Sequence, residues 1–256
     1  MTVSTMENKK KKAGKLLAVL FALLVWQIAA MTVNSKILLV SPVEVFLRLL
    51  TIWREPDFVL SVWTSFRHIA GGFLLAVVIG TLLAVIAGRF PLAETLLYPF
   101  LATVKAVPVA SFVVICLIWL SAERLSVFIS FLIVLPVIYG NLLSGLKAED
   151  EKMLEAGRVF ALSPMRRLGY IHLPQLKPHI MSALETALGM AWKAGVAAEI
   201  IGTPEGSIGR QLYLAKLYLD TDDLLCWTVV IVAVSVLFEK LVMLLVKSAY
   251  RRMERG

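Results

Sequence analysis

The chain has 256 residues, 59% of them hydrophobic and only 17% charged, with a mean hydropathy of +0.82. Soluble domains average about 45–50% apolar and about 25% charged. The excess here is gathered into long runs, which excludes a soluble globular class and points to an all-α integral membrane protein. The net charge of +8 is no argument for nucleic acid, because cytoplasmic loops of membrane proteins collect Lys and Arg.

A helix rises about 1.5 Å per residue, so crossing a hydrocarbon core of about 30 Å takes about 20 apolar residues. Six stretches qualify: 16–33, 69–88, 99–120, 125–146, 179–201 and 224–246. The first could instead be a secretion signal, but no clean small-x-small cleavage site follows it, so a true span is expected. With the amino terminus inside, the inside segments carry more than twice as many Lys and Arg as the outside ones. Both termini are therefore expected in the cytoplasm. Cys116 and Cys226 lie within apolar runs and read as small buried hydrophobes, with no disulfide or metal-ligand spacing.

After the first span, Ser41, Pro42 and Glu44 mark a helix start: cap, first-turn proline and capping-box glutamate. Glu44, Arg48, Thr51 and Glu55 form a polar stripe, and Phe46, Leu47, Leu50 and Trp53 supply apolar surface. This predicts an amphipathic helix at the outer interface. Asp57 is expected to cap a helix running into the second span, where Gly71, Gly72 and Gly80 allow close helix packing. Gly202, Pro204, Gly206 and Gly209 break the fifth span, a short helix is expected over 211–219, and Asp220, Asp222 and Asp223 precede the last span. No G-x-x-x-x-G-K-[ST] run occurs anywhere, so the chain has no visible nucleotide site and no cofactor of its own.

Ionisable residues inside a membrane are expensive. Lys240 can snorkel to the interface. Lys105 lies about 9 Å into the third span, and Pro108, one turn later, frees backbone groups. On the fifth span, Glu185, Gly189, Trp192, Val196 and Glu199 share one helical face. Lys193 flanks that face at about 22 Å from the cytoplasmic end. Such a face meets protein or water, not lipid. Two readings stay open: a structural ion-pair network, or the wall of a solute path made by Lys105, Pro108, Glu185, Trp192, Lys193 and Glu199. The two carboxylates are two turns apart with no partner histidine or metal motif, so no catalytic pair and no enzyme is expected.

Between the fourth and fifth spans lies a polar, basic stretch over 149–174. Residues 149–160 are helix-compatible, with Met153, Ala156, Val159 and Phe160 on one side. Ser163 and Pro164 close that helix and start another, which Leu173 and Pro174 are expected to end. The prediction is a rigid two-helix knob in the cytoplasm.

Within this stretch, Glu155-Ala156-Gly157, three residues, Ala161, nine residues and Ile171-His172-Leu173-Pro174 resemble the coupling motif of ATP-binding-cassette importer permeases. That motif reads Glu-Ala-Ala, three residues, Gly, nine residues, Ile-x-Leu-Pro. Gly157 and Ala161 depart from it, each replacing one small residue by another. Lys105 to Pro108, and Ala187 to Lys193 with Ala198-Glu199, are similar to segments of the nitrate/sulfonate/taurine branch, as is Arg67 to Phe73 at the approach to the second span.

The resemblance implies a single permease domain over 1–256 in a bacterial cytoplasmic membrane. It implies a homodimer or a similar paired subunit, and an extracellular or periplasmic solute-binding protein. Two cytoplasmic ATPases would bind the ATP and Mg and dock on Glu155, Ala156, Gly157, Ala161, Leu162, Ile171, Leu173 and Pro174. The expected cargo is a small anion such as a sulfonate or nitrate, with lipid the surrounding partner and nucleic acid none. A vitamin or pyrimidine precursor is the alternative cargo, and a proton-coupled carrier using Glu185 and Glu199 the alternative mechanism.

Overall fold

The computed structural model describes the backbone over residues 3–33, 35 and 37–253 and side chains from Leu17 on. The described residues are helical, with no strand among them. In chain order the helices are α1 (Val3–Val33), α2 (Pro42–Ile52), α3 (Phe58–Arg89), α4 (Pro91–Ala106), α5 (Val109–Cys116), α6 (Ala122–Lys147), α7 (Glu151–Val159), α8 (Pro164–Arg167), α9 (Leu173–Gly202), α10 (Ile208–Leu217) and α11 (Thr221–Met253).

Among the described residues, three helices are long and apolar enough to cross a membrane: α3, α6 and α11. The pair α4 and α5 makes a fourth if counted as one span. The apolar part of α1, Leu17–Val33, is shorter. Helix α9 has 30 residues, long enough to cross, but it carries Lys177, Glu185, Lys193 and Glu199. The stretch expected as the third span is not one straight helix: α4 and α5 meet at a bend of 101°. Val107, the residue before a proline, is extended with φ −79 and ψ 132. Pro108 offers no N–H to continue the ladder, and the pre-proline position is disfavoured in the α region; the helix breaks there, whereas Pro99 and Pro136 are held inside α4 and α6.

The chain packs as two compact units. The unit of 1–59 and 211–230 is organised around α2. Ser41 caps it, with Glu44 accepting from the Ser41 N–H at 3.1 Å to complete the capping box. Trp26 donates to the Val40 carbonyl at 3.0 Å, and Thr221 donates to that of Ile37 at 2.8 Å. Arg48 pairs with Asp223 and, at 3.1 Å, with Glu55. The predicted polar stripe is therefore an ion-paired row, while Phe46, Leu47, Leu50 and Trp53 are exposed. Cys226 is buried in this unit with a free thiol.

The unit of 60–210 and 231–256 is built on the seam between α6 and α9, the most extensive helix contact among the described residues. Leu125, Ile129, Ile133, Ala194 and Ala198 fill it together with Val113 and the free thiol of Cys116. Small residues set the spacing. A Cβ on Gly72 would lie 2.3 Å from the Val127 carbonyl oxygen, and one on Gly195 would lie 2.5 Å from Ser130 Oγ. Gly80 sits against Ile138, whereas Gly71 faces open space. Phe238 receives the edges or faces of Phe66, Phe73 and Trp192 at centroid distances of 5.2, 5.8 and 6.4 Å.

Candidate functional site

The stretch over 149–174 starts with Asp150, whose carboxylate accepts from the Lys152 N–H at 2.9 Å and caps α7. The far end of α7 closes in a left-handed turn. Ala161 has φ 47, its N–H bonds the Arg158 carbonyl at 3.0 Å, and the Leu162 N–H bonds the Gly157 carbonyl at 3.1 Å. This paired pattern is the Schellman ending, whose left-handed residue is usually glycine. The glycine that the coupling motif places here thus answers a backbone demand. Size is secondary, and alanine meets the demand at a cost.

Gly157 answers a packing demand. It is buried, and a Cβ there would lie 2.4 Å from Ile171 Cδ1. Arg167 lies beside the same glycine and donates to the Leu162 carbonyl at 3.5 Å. Ile171 is buried, Ala156, Leu162 and Leu173 are half-buried, and Glu155 and Pro174 are exposed. The expected close approach of small residues is present where Gly157 meets Ile171.

The second piece of the knob is corrected. Leu173 and Pro174 do not end a short helix. From α8 the chain passes through a π-helical turn, Leu168–His172, directly into α9. The Leu173 N–H reaches back five residues to the Leu168 carbonyl. Pro174 falls in the first turn of α9, where a missing N–H is tolerated, and the wider π turn carries the chain past it. The arm is pinned at its root: Glu149 contacts His172 Nδ1 at 2.8 Å, and Gln175 accepts from the Asp150 N–H at 2.7 Å. A single continuous helical element therefore runs from the elbow to the far end of α9.

The face predicted on α9 is divided. Glu185 and Lys193 are exposed, Gly189 is half-buried, and Trp192, Val196 and Glu199 are buried. Lys105 and Pro108 are exposed and flank the α4–α5 bend, with the Lys105 ammonium beside Gly140. Among the described residues Glu199 does not pair with Lys193. Its Oε2 accepts from Ser65 Oγ at 2.5 Å and from the Gly209 N–H at 3.3 Å. Ser65 Oγ in turn accepts from the Ile208 N–H at 2.9 Å. The first amides of α10 thus point at a serine and a carboxylate supplied by α3 and α9.

The turn that makes this possible uses two left-handed residues, Thr203 (φ 49) and Gly206 (φ 61). Ser207 accepts from the Arg210 N–H at 3.1 Å and caps α10. Gly209 has no room for a side chain, since a Cβ would fall 2.2 Å from that of Glu199. The partner histidine that spacing alone did not supply is His68, whose Nδ1 lies 4.0 Å from Glu199 Oε1. Ser61, Ser65 and His68, at four- and three-residue steps, form a buried polar row on α3. That row was visible as a periodicity within an apolar segment.

Apolar helices continuous with a projecting arm suit a membrane subunit that works with a partner outside the membrane. The sequence agrees. Residues 76–255 match the family of the binding-protein-dependent transport system inner membrane component, and the chain belongs to that family. It is similar to the taurine transport system permease protein of Escherichia coli (strain K12), at 27% identity over 220 residues, 84% of this chain and 80% of that protein. It is also similar to the putative aliphatic sulfonates transport permease protein of Bacillus subtilis (strain 168), at 26% over 224 residues, 86% of this chain and 80% of that one. The nitrate import permease protein of Synechocystis sp. is 26% identical over 211 residues, 78% and 75% of the two chains. The resemblance carried by the spacing of 155–174 is borne out: this is a multi-pass permease of an importer, not an enzyme.

Proposed function

We propose that this permease is the membrane half of an ATP-driven importer for a small anion, a single transmembrane domain over its whole length that works as a homodimer. Two cytoplasmic ATP-binding-cassette ATPases bind the nucleotide, and an extracellular or periplasmic solute-binding protein delivers the cargo. Both termini face the cytoplasm of a bacterial cell, as the distribution of Lys and Arg favours, and lipid surrounds the spans. The anion reading is supported by relatives whose names give taurine, aliphatic sulfonates and nitrate, and by the exposed cations Lys105 and Lys193. These two, with Pro108 and Glu185, are assigned to the surface of the solute path, and Trp192 and Glu199 to the wall behind it.

The observation that carries the ATPase contact is the tip of the arm. Val159, Phe160 and Met165 are 81%, 77% and 77% exposed on an element otherwise held by a capped helix, a Schellman turn and a buried glycine contact. Exposed apolar side chains on a rigid knob are what a partner's cleft covers. Closure of the ATPase dimer then moves Glu155, Ala156, Gly157, Ala161 and Leu162, and Ile171, Leu173 and Pro174 pass the motion into α9 without a joint. Reconstitution with the ATPase and binding protein tests this. Replacing Glu155 and Ala156 by bulky residues abolishes ATP-dependent uptake on this account, and unchanged uptake would contradict it.

A further inference from the structure

The carboxylate of Glu199 is fully buried, and only one of its oxygens is satisfied. Oε2 takes the Ser65 hydroxyl and the Gly209 amide. Oε1 has no hydrogen-bond partner among the described residues, and neither does Nδ1 of His68, which is 8% exposed and 4.0 Å away. An unmade bond at a buried polar atom leaves the cost of removing it from water uncompensated. Two such atoms face one another here.

The surrounding charges do not resolve the pair. On α3, Arg67 is exposed; on α6, Glu123 is exposed; on α9, Lys193 is exposed. On α10, Arg210 is occupied by Glu205 at 3.0 Å. None of these lies against the carboxylate. A buried anion with one oxygen unpaired beside a neutral imidazole leaves a net charge in a low dielectric and is expensive.

We propose that Glu199 and His68 form a proton-binding site that holds α3 to the start of α10 while that end of the fold is dry. One proton sits between Oε1 and Nδ1, either as a neutral carboxylic acid donating to a neutral imidazole or as a carboxylate accepting from an imidazolium. In both placements the pair has zero net charge. A small rotation of either side chain closes the 4.0 Å gap into a hydrogen bond. When water reaches the site the proton passes to a water molecule, leaving a solvated carboxylate and a neutral imidazole. The latch between Ser65, Glu199 and the first amides of α10 then loosens. Protons are not the fuel in this scheme: one is held and released, and no gradient is consumed. The sign follows from the protonated pair being the form that suits the dry state, so rising pH weakens the latch.

The site itself does not depend on the importer reading, and only its consequence for the transport cycle rests on it. The test is a pH titration of the purified full-length chain in detergent, followed by infrared difference spectroscopy and thermal unfolding. Wild type is compared with Glu199→Gln, His68→Asn and Ser65→Ala. As pH is raised the wild type is expected to release one proton per chain from the carboxyl–imidazole pair, with a falling unfolding midpoint.

Glu199→Gln keeps an acceptor for Ser65 and Gly209 and is expected to lose the proton release of this pair and the fall in midpoint that goes with it, leaving only the smaller contribution of other titrating groups. Ser65→Ala keeps the release, and His68→Asn moves it to another pH. If Glu199→Gln does not fold, the His68→Asn titration decides: a curve identical to wild type overturns the site. So does a wild-type midpoint that stays flat with pH, or an infrared carboxyl change as large in Glu199→Gln as in the wild type. Loss of ATP-dependent uptake by the reconstituted wild type, with the titration intact, would count against the importer reading and leave the proton site standing.

Discussion

Two helices of this permease end on a left-handed residue in opposite surroundings. Helix α7 closes on Ala161 and α9 closes on Thr203, both left-handed at φ 47 and 49. Around Ala161 the turn is held by its own carbonyls, and its neighbours Val159 and Phe160 point outward. Around Thr203 the turn delivers Gly209 onto Glu199 in a space that admits no Cβ. The exposed elbow offers a surface to something outside the chain. The buried one stores an unsatisfied carboxylate inside it. One geometry thus serves a contact and a latch, and what distinguishes them is access to water.

The comparison can be strained at several points, the largest effect first. Glu155→Trp, on the exposed side of α7, is expected to cut ATP-dependent uptake about tenfold or more, at least about 1.4 kcal/mol of coupling. The chain itself should unfold at nearly the wild-type temperature, so the loss would lie in the contact. Gly209→Ala, at the buried turn, should do the reverse. The clash with the Glu199 backbone and Cβ is expected to cost about 1–3 kcal/mol, seen as a lowered unfolding midpoint in detergent before any transport is measured.

Ala161→Gly tests the left-handed strain directly. Relief of about 1–2 kcal/mol in that conformation is offset by about 0.5–1 kcal/mol of extra chain entropy. The expected result is a gain of about 0.5–1 kcal/mol, and a loss would mean that the elbow is not strained.

The smallest effect concerns a wet carboxylate that contrasts with Glu199. Asp220 is exposed, and its hydrogen bond with Asp222 pushes its pKa up from 3.8 to about 6. A value raised in the fold means that protonated Asp220 favours it. That contribution is present below the ordinary aspartate value of 3.8 and is lost as pH rises through about 6. Solvent screening keeps it under about 1 kcal/mol. Asp220→Asn should flatten this part of the stability profile, read as unfolding midpoints across that range. The step assigned to Glu199 should remain.

Much of the helical layout was legible because long apolar runs have few other options. The capping box of Ser41 and Glu44 was legible for a related reason: three residues complete it locally. What escaped were features set by residues distant in sequence or by backbone detail. The run 99–120 reads as one span by composition, yet the one missing amide at Pro108 bends it by 101°. Pro174 reads as a stop, but a π turn before it keeps the helix going. Gly157 and Ala161 read as a matched pair of small residues, whereas one is needed for packing and the other stands where φ is positive. His68 lies more than a hundred residues from Glu199, and only the row formed with Ser61 and Ser65 marked it as facing inward.

The account rests most heavily on the energy source, because the continuous path from the elbow into α9 has a purpose only if a cytoplasmic ATPase drives it. The direct measurement is uptake of labelled taurine, an aliphatic sulfonate or nitrate into proteoliposomes holding this permease, its ATPase and its binding protein. The account predicts uptake that requires ATP on the ATPase side and is indifferent to a proton ionophore. Uptake that persists without ATP and collapses with the ionophore would contradict it.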